Sequence, residues 1–423
     1  MYDKDLVSAL RDLPIDVSEK GFGGRLHRGP VTSASLAAAA PHAGAGWLGS
    51  PRAMLRDSAL RHNIATMAAY CDDHGTALYP HAKTTMAPQL VAMQLDAGAQ
   101  GVTVATVAQA RLLHGFGVRE LLVANQVTDE AGVAWLGRAL SDDPALAVTC
   151  YVDSTSGVEL LDGAMSRAGS TRRLDVLVEL GHDGGRTGVR TRTAARQVAD
   201  AVARSSRLSL VGVAGYEGAL VRPTPDQTAA AARAFCEELG ALAGELLASG
   251  NLSSTPIVTA GGSAYFDAVV DVLAGEPAWR LVLRSGCYLT HDHGLYAAIS
   301  AFERIERMPQ LRPALEVWAP VLSRPERGTV VVGAGRRDVS SDAGLPVLLR
   351  GQSGPDRVDV SGSSVRRMFD QHLVVRVPDD CALAPGDEVA LGISHPCTTF
   401  DKWRWLPVID DDDRLIDVVR TLF

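Results

Sequence analysis

Lysine is scarce in this chain. Four lysines stand against 37 arginines, and between Lys20 and Lys402 the sequence has only Lys83. A guanidinium stays protonated, so an arginine cannot act as the neutral amine that attacks a carbonyl, whereas a lysine can. Lys83 is therefore the first candidate for a Schiff-base lysine. The alternative is a biased composition in which one lysine remained by chance.

The sequence also lacks clusters of basic residues, long apolar runs and closely spaced cysteine pairs, and each absence makes some classes of function unexpected. The net charge is −8 and basic residues come in nothing longer than pairs such as Arg336-Arg337, so a nucleic-acid partner is not expected. No apolar run has the length of a signal peptide or a membrane span, which predicts a cytoplasmic protein without a membrane partner. The six cysteines form no CxxC pair, as is typical of reduced thiols. Small-molecule chemistry is the class that remains.

Apolar periodicity from about Arg52 to Ser285 predicts repeated β-α units. About eight or nine units in this length favour a (β/α)8 barrel of the TIM type over an open sheet. The expected strands are 53–55, 77–79, 102–105, 120–124, 146–152, 174–179, 208–214, 256–259 and 280–284. The helices most clearly marked are 59–69, 89–96, 191–202 and 226–248.

After about Leu295 the pattern changes to valine-rich segments broken by Gly, Pro and Asp, which predicts a mostly antiparallel β domain. The strands expected there are 317–322, 329–332, 345–349, 372–377 and 388–391. The start of the chain is polar and then rich in Ala and Gly. The predicted organisation is therefore an N-terminal arm over residues 1–46, packed on the barrel or the β domain, a barrel over 47–295 and a β domain over 296–423.

Lys83 follows the expected strand at 77–79, so it is predicted to lie at the carboxyl rim, where barrels of this kind carry their active sites. His81 would share one side of the extended chain with Lys83. It is either a supporting catalytic residue or a packed histidine bonded to the backbone. The two residues are the predicted catalytic pair.

Further loops follow expected strands and are predicted to lie at the same rim. The segment Gly261-Gly262-Ser263 offers backbone NH groups and a hydroxyl that suit a phosphate, although an ordinary tight turn would have the same composition. Other candidates on these loops could bind an anionic or aromatic ligand, or could be structural: Arg186, Tyr216, Arg284, Gly286, Cys287 and Tyr288.

In the last domain, one residue separates His395 from Cys397. The two would lie on the same side of an extended segment, and imidazole with thiolate is a pair that favours zinc. Two protein ligands leave positions for water and substrate, as in an open Lewis acid. The alternative is a buried thiol beside an unrelated histidine.

Taken in this order, these segments resemble the D-serine dehydratase and D-threonine aldolase family of pyridoxal-phosphate enzymes, which share the alanine-racemase-type barrel of fold type III. The resemblance runs from about Gly46 to the C terminus. Its most specific pieces are Pro80-His-Ala-Lys-Thr84 and His395-Pro-Cys397.

The resemblance implies that Lys83 carries pyridoxal 5'-phosphate as a Schiff base and that His395 and Cys397 bind a divalent metal, Zn²⁺. It also implies a phosphate site in the loops that contain Gly261, Gly262, Ser263, Gly286, Cys287 and Tyr288. By similarity to the racemases, Arg186 is expected near the ring hydroxyl, with Arg284 or Tyr216 near the pyridine nitrogen.

Dehydratases of this family look like His-x-Cys at the metal site, whereas the D-threonine aldolases carry a carboxylate in place of the thiolate. Cys397 therefore favours β-elimination from a D-3-hydroxy amino acid such as D-serine or D-threonine, giving a 2-oxo acid and ammonia. The rivals are retro-aldol cleavage to glycine and an aldehyde, amino-acid racemisation, and a non-catalytic protein that binds pyridoxal phosphate. Family likeness also suggests a homodimer.

Overall fold

Eight parallel strands form the sheet of the barrel. The computed structural model describes residues 2–23, 31–44, 46–252, 255–305 and 307–423. In chain order the strands are Ala77–Leu78, Val102–Val104, Glu120–Gln126, Ala147–Val152, Leu174–Leu180, Leu208–Gly215, Ile257–Ala260 and Arg280–Leu283. The last strand pairs with the first. Two hydrogen bonds join the chain segments of the first and second strands. The amides of Gln100 and Thr103 donate to the carbonyls of Leu78 and Pro80, at 3.0 Å each. The predicted TIM-type fold is confirmed.

One helix precedes the first of these strands and the others follow the strands in turn, with buried apolar residues packed in the barrel domain. They are Asp57–Asp73, Pro88–Asp96, Val107–Gly115, Glu130–Asp142, Thr155–Arg167, Arg192–Arg204, Pro225–Ala248 and Phe266–Leu273. Polar side chains fix several starts, as where Thr106, Ser154 and Thr191 accept amide hydrogens of the first turn. Within the described ranges, no helix is long and apolar enough to cross a bilayer.

The second sheet is almost entirely antiparallel and lies mainly in the C-terminal third of the chain. Its strands there are Leu315–Glu326, Thr329–Val332, Val347–Ser353, Asp356–Val358, Ser364–Met368, Leu373–Arg376, Glu388–Gly392, Trp405–Ile409 and Leu415–Arg420. Two of the strands that the sequence did not predict, at 356–358 and 364–368, are largely exposed. They therefore lack the apolar alternation on which the prediction depends.

One predicted barrel strand belongs to this second sheet instead. The strand Arg52–Arg56 pairs antiparallel with Leu315–Glu326 and parallel with Trp405–Ile409. The guanidinium of Arg52 donates to both carboxylate oxygens of Glu388, at 2.6 and 2.7 Å. The assignment of 53–55 to the barrel was wrong, because an apolar run shows that a strand is buried but not which sheet contains it. The other domain limits stay predictions.

The described part of the N-terminal arm contacts both the barrel and the C-terminal β domain. The hydroxyl of Tyr2 donates to Asp96 on a barrel helix at 2.8 Å. The hydroxyl of Ser33 donates to Asp417 at 2.6 Å and accepts from the amide of Val418 at 2.8 Å. The arm therefore links the barrel to the last strand of the chain.

Candidate active site

A cavity of about 510 Å³ opens where the carboxyl ends of the barrel strands meet the second sheet. The predicted site residues that line it are His81, Lys83, Arg186, Tyr216, Gly261, Gly262, Ser263, Arg284, Gly286, Cys287, His395 and Cys397. Lining residues that the sequence did not single out include Thr84, Asn125, Tyr151, Glu179 and Tyr296. The parallel strands bring these distant segments to one edge because their carboxyl ends all face the same way.

Lys83 lies in a single 3-10 turn, Ala82–Thr84, just after the first barrel strand. The segment before it is held on both sides, since the amide of His81 donates to Ser285 O at 3.3 Å and the amide of Thr103 donates to Pro80 O at 3.0 Å. The turn leaves the Lys83 side chain exposed within the cavity. Its amine is therefore open to a carbonyl compound bound there.

His81 is half-buried beside Lys83, and its imidazole is neutral at neutral pH. Burial, together with the positive charges of Lys83 and Arg284, lowers the pKa of His81 well below 6.5. Among the residues that the structure describes, its buried Nδ1 finds no hydrogen-bond partner. Because a buried polar atom is normally paired, this nitrogen suits a polar group of a bound ligand.

A candidate phosphate cradle lies between the loops that follow the last two barrel strands. The amides of Gly286 and Cys287 both donate to Ser263 Oγ, at 3.2 and 3.0 Å. A Cβ at position 286 would come within 2.7 Å of His81 O and of Thr84 Oγ1, so only glycine allows the loop to lie this close to the Lys83 turn. Unlike a buried carboxylate, the Ser263 hydroxyl can rotate away from these amides and itself donate, so the two amides and the hydroxyl would suit the phosphate of pyridoxal phosphate beside Lys83.

The amides of Gly261 and Gly262 do not serve this cradle as predicted. They donate to the two carboxylate oxygens of Glu217, at 3.0 and 2.8 Å. Glu217 is fully buried and was not identified from the sequence. A buried carboxylate needs such donors, so it takes the two amides that the glycine-rich loop offers.

Tyr288 is the one predicted site residue whose side chain does not line the cavity. Its phenol accepts a hydrogen bond from Gln94 Nε2 at 2.8 Å within the barrel core. Residues Cys287–Leu289 form a 3-10 turn. Successive side chains of such a turn point about 120° apart, so Cys287 faces the cavity while Tyr288 faces the core.

The two arginines of the rim have different surroundings. The guanidinium of Arg186 lies over the ring of Tyr216, 4.9 Å from its centre, and the side chain is exposed. Arg284 is buried and donates to Thr259 Oγ1 at 2.5 Å and to Gly215 O at 2.6 Å. The strand ends therefore fix Arg284 in place. The ring atoms that each arginine contacts stay predictions.

The histidine and cysteine of the last domain reach this same cavity. Pro396 has a helical backbone conformation and Cys397–Phe400 is a helical turn, so the segment is not extended as the sequence analysis expected. Cys397 Sγ lies 3.4 Å from Thr84 Oγ1, next to Lys83, and 3.4 Å from Cys287 Sγ. The ligand atoms of Cys287, His395 and Cys397 all lie within 4.8 Å of one another.

Charge in this cluster suits metal binding. The neighbouring Cys287 thiol and the His395 imidazole lower the pKa of Cys397 from 9.0 to about 4, although burial opposes them. Burial alone would lower the pKa of His395, but Cys397 and Asp342 outweigh it and raise that pKa to about 9. At neutral pH the Cys397 thiolate, the form that binds metals, is therefore paired with a protonated His395, and a metal would bind by displacing the imidazolium proton.

Asp342 orients the histidine. One carboxylate oxygen accepts from His395 Nδ1 at 2.6 Å, and the other accepts from Thr398 Oγ1 at 2.6 Å. A carboxylate on one ring nitrogen leaves the other nitrogen, Nε2, for a metal. The sequence carries no local sign of Asp342, which lies in a loop far from His395 in the chain. Glu179, which also lines the cavity, could have been predicted as a site residue, because it is the last residue of the predicted strand 174–179 and such strand ends lie at the rim.

The family of the chain is shown by two family models. Residues 56–269 match the alanine racemase N-terminal domain, and residues 314–409 match a putative serine dehydratase domain. The chain therefore belongs to the alanine-racemase-type, fold type III family of pyridoxal-phosphate-dependent enzymes, in the group that carries a serine dehydratase domain.

Individual relatives cover most of the chain. D-threonine aldolase of Arthrobacter sp. is 27% identical over 365 residues, which are 86% of this chain and 89% of the relative. D-threo-3-hydroxyaspartate dehydratase of Delftia sp. (strain HT23) is 27% identical over 311 residues, 70% of this chain and 74% of the relative. The crystal structure of D-threonine aldolase from Filomicrobium marinum has a TM-score of 0.76 at 25% identity and covers 88% of this chain and 95% of its own.

Solved structures of a D-threo-3-hydroxyaspartate dehydratase include two variants with alanine at a histidine and at a cysteine two positions apart, the latter in a metal-free form. Their TM-scores are 0.70 and 0.69, at 21% and 22% identity. Each covers 89% of this chain, and 95% and 98% of its own.

Proposed function

We propose that this protein is a pyridoxal-phosphate- and metal-dependent dehydratase. Its substrate is a D-3-hydroxy amino acid such as D-serine or D-threonine, and its products are a 2-oxo acid and ammonia. One observation carries the proposal: Lys83 and the pair His395 and Cys397 face one cavity, with Cys397 Sγ 3.4 Å from the residue that follows Lys83. A single small substrate can therefore reach both groups.

The residues of the cavity suit the cofactor. Lys83 supplies an exposed amine, and Ser263 with the amides of Gly286 and Cys287 supplies a phosphate cradle. When bound, pyridoxal phosphate acts as an electron sink for the α-carbon of an amino acid. As a free amine, Lys83 would be placed to take the α-proton of a substrate in the cavity, and the neutral imidazole of His81 beside it would add no competing positive charge.

The imidazole of His395 and the thiolate of Cys397 suit a zinc ion, which acts as a Lewis acid on an oxygen leaving group. Elimination of hydroxide near neutral pH needs such help, because hydroxide is a poor leaving group. The histidine and cysteine replaced in the dehydratase structures have the same spacing as His395 and Cys397. That likeness supports elimination.

Retro-aldol cleavage is the second candidate, favoured by the aldolase names of relatives such as the enzyme of Arthrobacter sp.. It would use the same lysine, cofactor and metal. The thiolate at position 397 is the feature that favours elimination, since the resemblance associates a carboxylate there with the aldolases.

The test is a product assay on the metal-loaded holoenzyme with D-serine, D-threonine and D-3-hydroxyaspartate. We expect 2-oxo acid and ammonia in equal amounts from at least one of them, and no product from the Lys83→Ala variant. Cys236→Ala, which removes a buried thiol of the helix Pro225–Ala248, is the matched control. Glycine with an aldehyde would show the aldolase instead, the L-enantiomer would show a racemase, and cofactor binding without turnover would show a non-catalytic protein.

A further inference from the structure

We infer that Cys287 is a third protein ligand of the metal, beside His395 and Cys397. The inference rests on the metal of the proposed function and extends it, since the resemblance assigned Cys287 only to the phosphate loop. Its Sγ lies 3.4 Å from Cys397 Sγ, although Cys287 lies in a turn after the last barrel strand and Cys397 in a helical turn after a strand of the second sheet. The barrel loop and the last domain thus each bring a thiol to the same point.

The spacing of the three ligand atoms fits a tetrahedral ion. With Zn–S bonds of about 2.3 Å and Zn–N bonds of about 2.0 Å, tetrahedral ligand atoms are about 3.5 to 3.8 Å apart. The two sulfur atoms are 3.4 Å apart, and all three ligand atoms lie within 4.8 Å of one another. The sulfur pair is therefore close to the tetrahedral separation, and His395 would have to move nearer to the two sulfur atoms wherever its nitrogen lies farther than about 3.5 Å from them.

The backbone around Cys287 fixes its thiol in this position. Its amide donates to Ser263 Oγ at 3.0 Å, and its carbonyl accepts from the amide of His291 at 2.8 Å. The residue is 5% exposed. Cys71, Cys150 and Cys236 are also buried, but they belong to the apolar core and do not line the cavity. Cys287 therefore differs from an ordinary core thiol in what its sulfur faces.

A Cys-His-Cys set changes the chemistry that the site can carry. Three protein ligands leave one position for water or substrate, which is the pattern of catalytic rather than structural zinc sites. Cys287 is the thiol partner of the Cys397 thiolate in this structure, so a metal would displace its proton on binding. The two resulting thiolates would select zinc over hard ions such as Mg²⁺ and Mn²⁺. The same residue would also couple the two halves of the site, because its amide serves the phosphate cradle while its sulfur holds the metal.

X-ray absorption at the zinc edge of the holoenzyme counts sulfur ligands directly. We expect two sulfur atoms at about 2.3 Å in the unmodified protein, one in Cys287→Ala, one in Cys397→Ala, and two in the control Cys236→Ala. Competition with a chelator should show zinc held at least about tenfold less tightly by Cys287→Ala, the loss that even an outer-shell partner causes. Cys287→Ser, which keeps the size of the side chain, gives the same count if the alanine variant does not fold.

A single sulfur atom in the unmodified protein, unchanged by Cys287→Ala, would overturn the inference. So would a disulfide between Cys287 and Cys397 in the zinc-loaded protein, detected as two missing thiols by thiol titration. Failure of the proposed function is a separate result: formation of glycine instead of a 2-oxo acid would leave the sulfur count at two.

Discussion

Replacing Asp342 by asparagine tests whether His395 is a metal ligand held by an outer carboxylate. The side chains are nearly equal in size, so the change removes the charge that accepts from His395 Nδ1 at 2.6 Å. Loss of such a partner weakens metal binding by about 10- to 100-fold. The Asp342 side chain is 46% exposed and that of His395 is 20% exposed. Solvent screens a charge so placed, and we therefore expect the lower end, about tenfold or about 1.4 kcal/mol.

The assay is chelator competition for zinc at constant pH, with thermal unfolding of the apoprotein to exclude a folding defect. Asp401→Asn is the matched control, because its carboxylate has the same 46% exposure and lies 3.5 Å from the Lys402 amine. We expect the control to bind zinc like the unmodified protein. Equal zinc affinity in the Asp342→Asn and Asp401→Asn variants would refute the assignment of His395 as a ligand oriented by Asp342.

Three further predictions concern the cofactor, the phosphate cradle and acid stability. Lys83→Arg should abolish the Schiff-base absorbance band of the cofactor, because a guanidinium forms no Schiff base, whereas Lys402→Arg should keep that band. Gly286→Ala should weaken cofactor binding in a titration, since its Cβ would lie 2.7 Å from His81 O. Gly244→Ala, which meets no atom within 4 Å in its helix, should instead raise the stability by about 1 kcal/mol. Burial lowers the pKa of His291 from 6.5 to about 4. Between these two values the unfolded chain binds a proton at His291 that the folded protein does not bind, so the free energy of unfolding decreases as the pH falls below 6.5. Between pH 7.5 and 5 this loss is about 2 kcal/mol, and denaturant titrations of His291→Asn should show a correspondingly smaller difference between the two pH values.

Much of the fold follows from local patterns in the sequence. Buried parallel strands are apolar along their length, and the helices between them are amphipathic, so the barrel could be predicted from periodicity. The strand Arg52–Arg56 shows the limit of that reasoning. Its partners, Leu315–Glu326 and Trp405–Ile409, lie more than 250 residues away, and pairing at such separation depends on tertiary packing that no local pattern records. The homodimer likewise stays a prediction.

The residues of the candidate site likewise include some that the local sequence predicts and others that only the folded structure shows. Lys83 and His395-Pro-Cys397 stand out because their residue types and spacing carry chemistry by themselves. Asp342 does not, because its role depends only on contact with His395. Glu217 competes for the amides of Gly261 and Gly262, which the sequence offers to a phosphate. Residues that support or compete with a site in this way become visible only after the chain is folded.

The central claim is that Lys83 carries pyridoxal phosphate beside the metal ligands. Borohydride reduction of the holoenzyme, followed by digestion and mass spectrometry, locates the cofactor on a particular residue. With only four lysines in the chain, the assignment is unambiguous. We expect the label on the peptide that contains Lys83 and on no other. A label on Lys4, Lys20 or Lys402 in place of Lys83, or no label after reduction of cofactor-loaded protein, would contradict the claim.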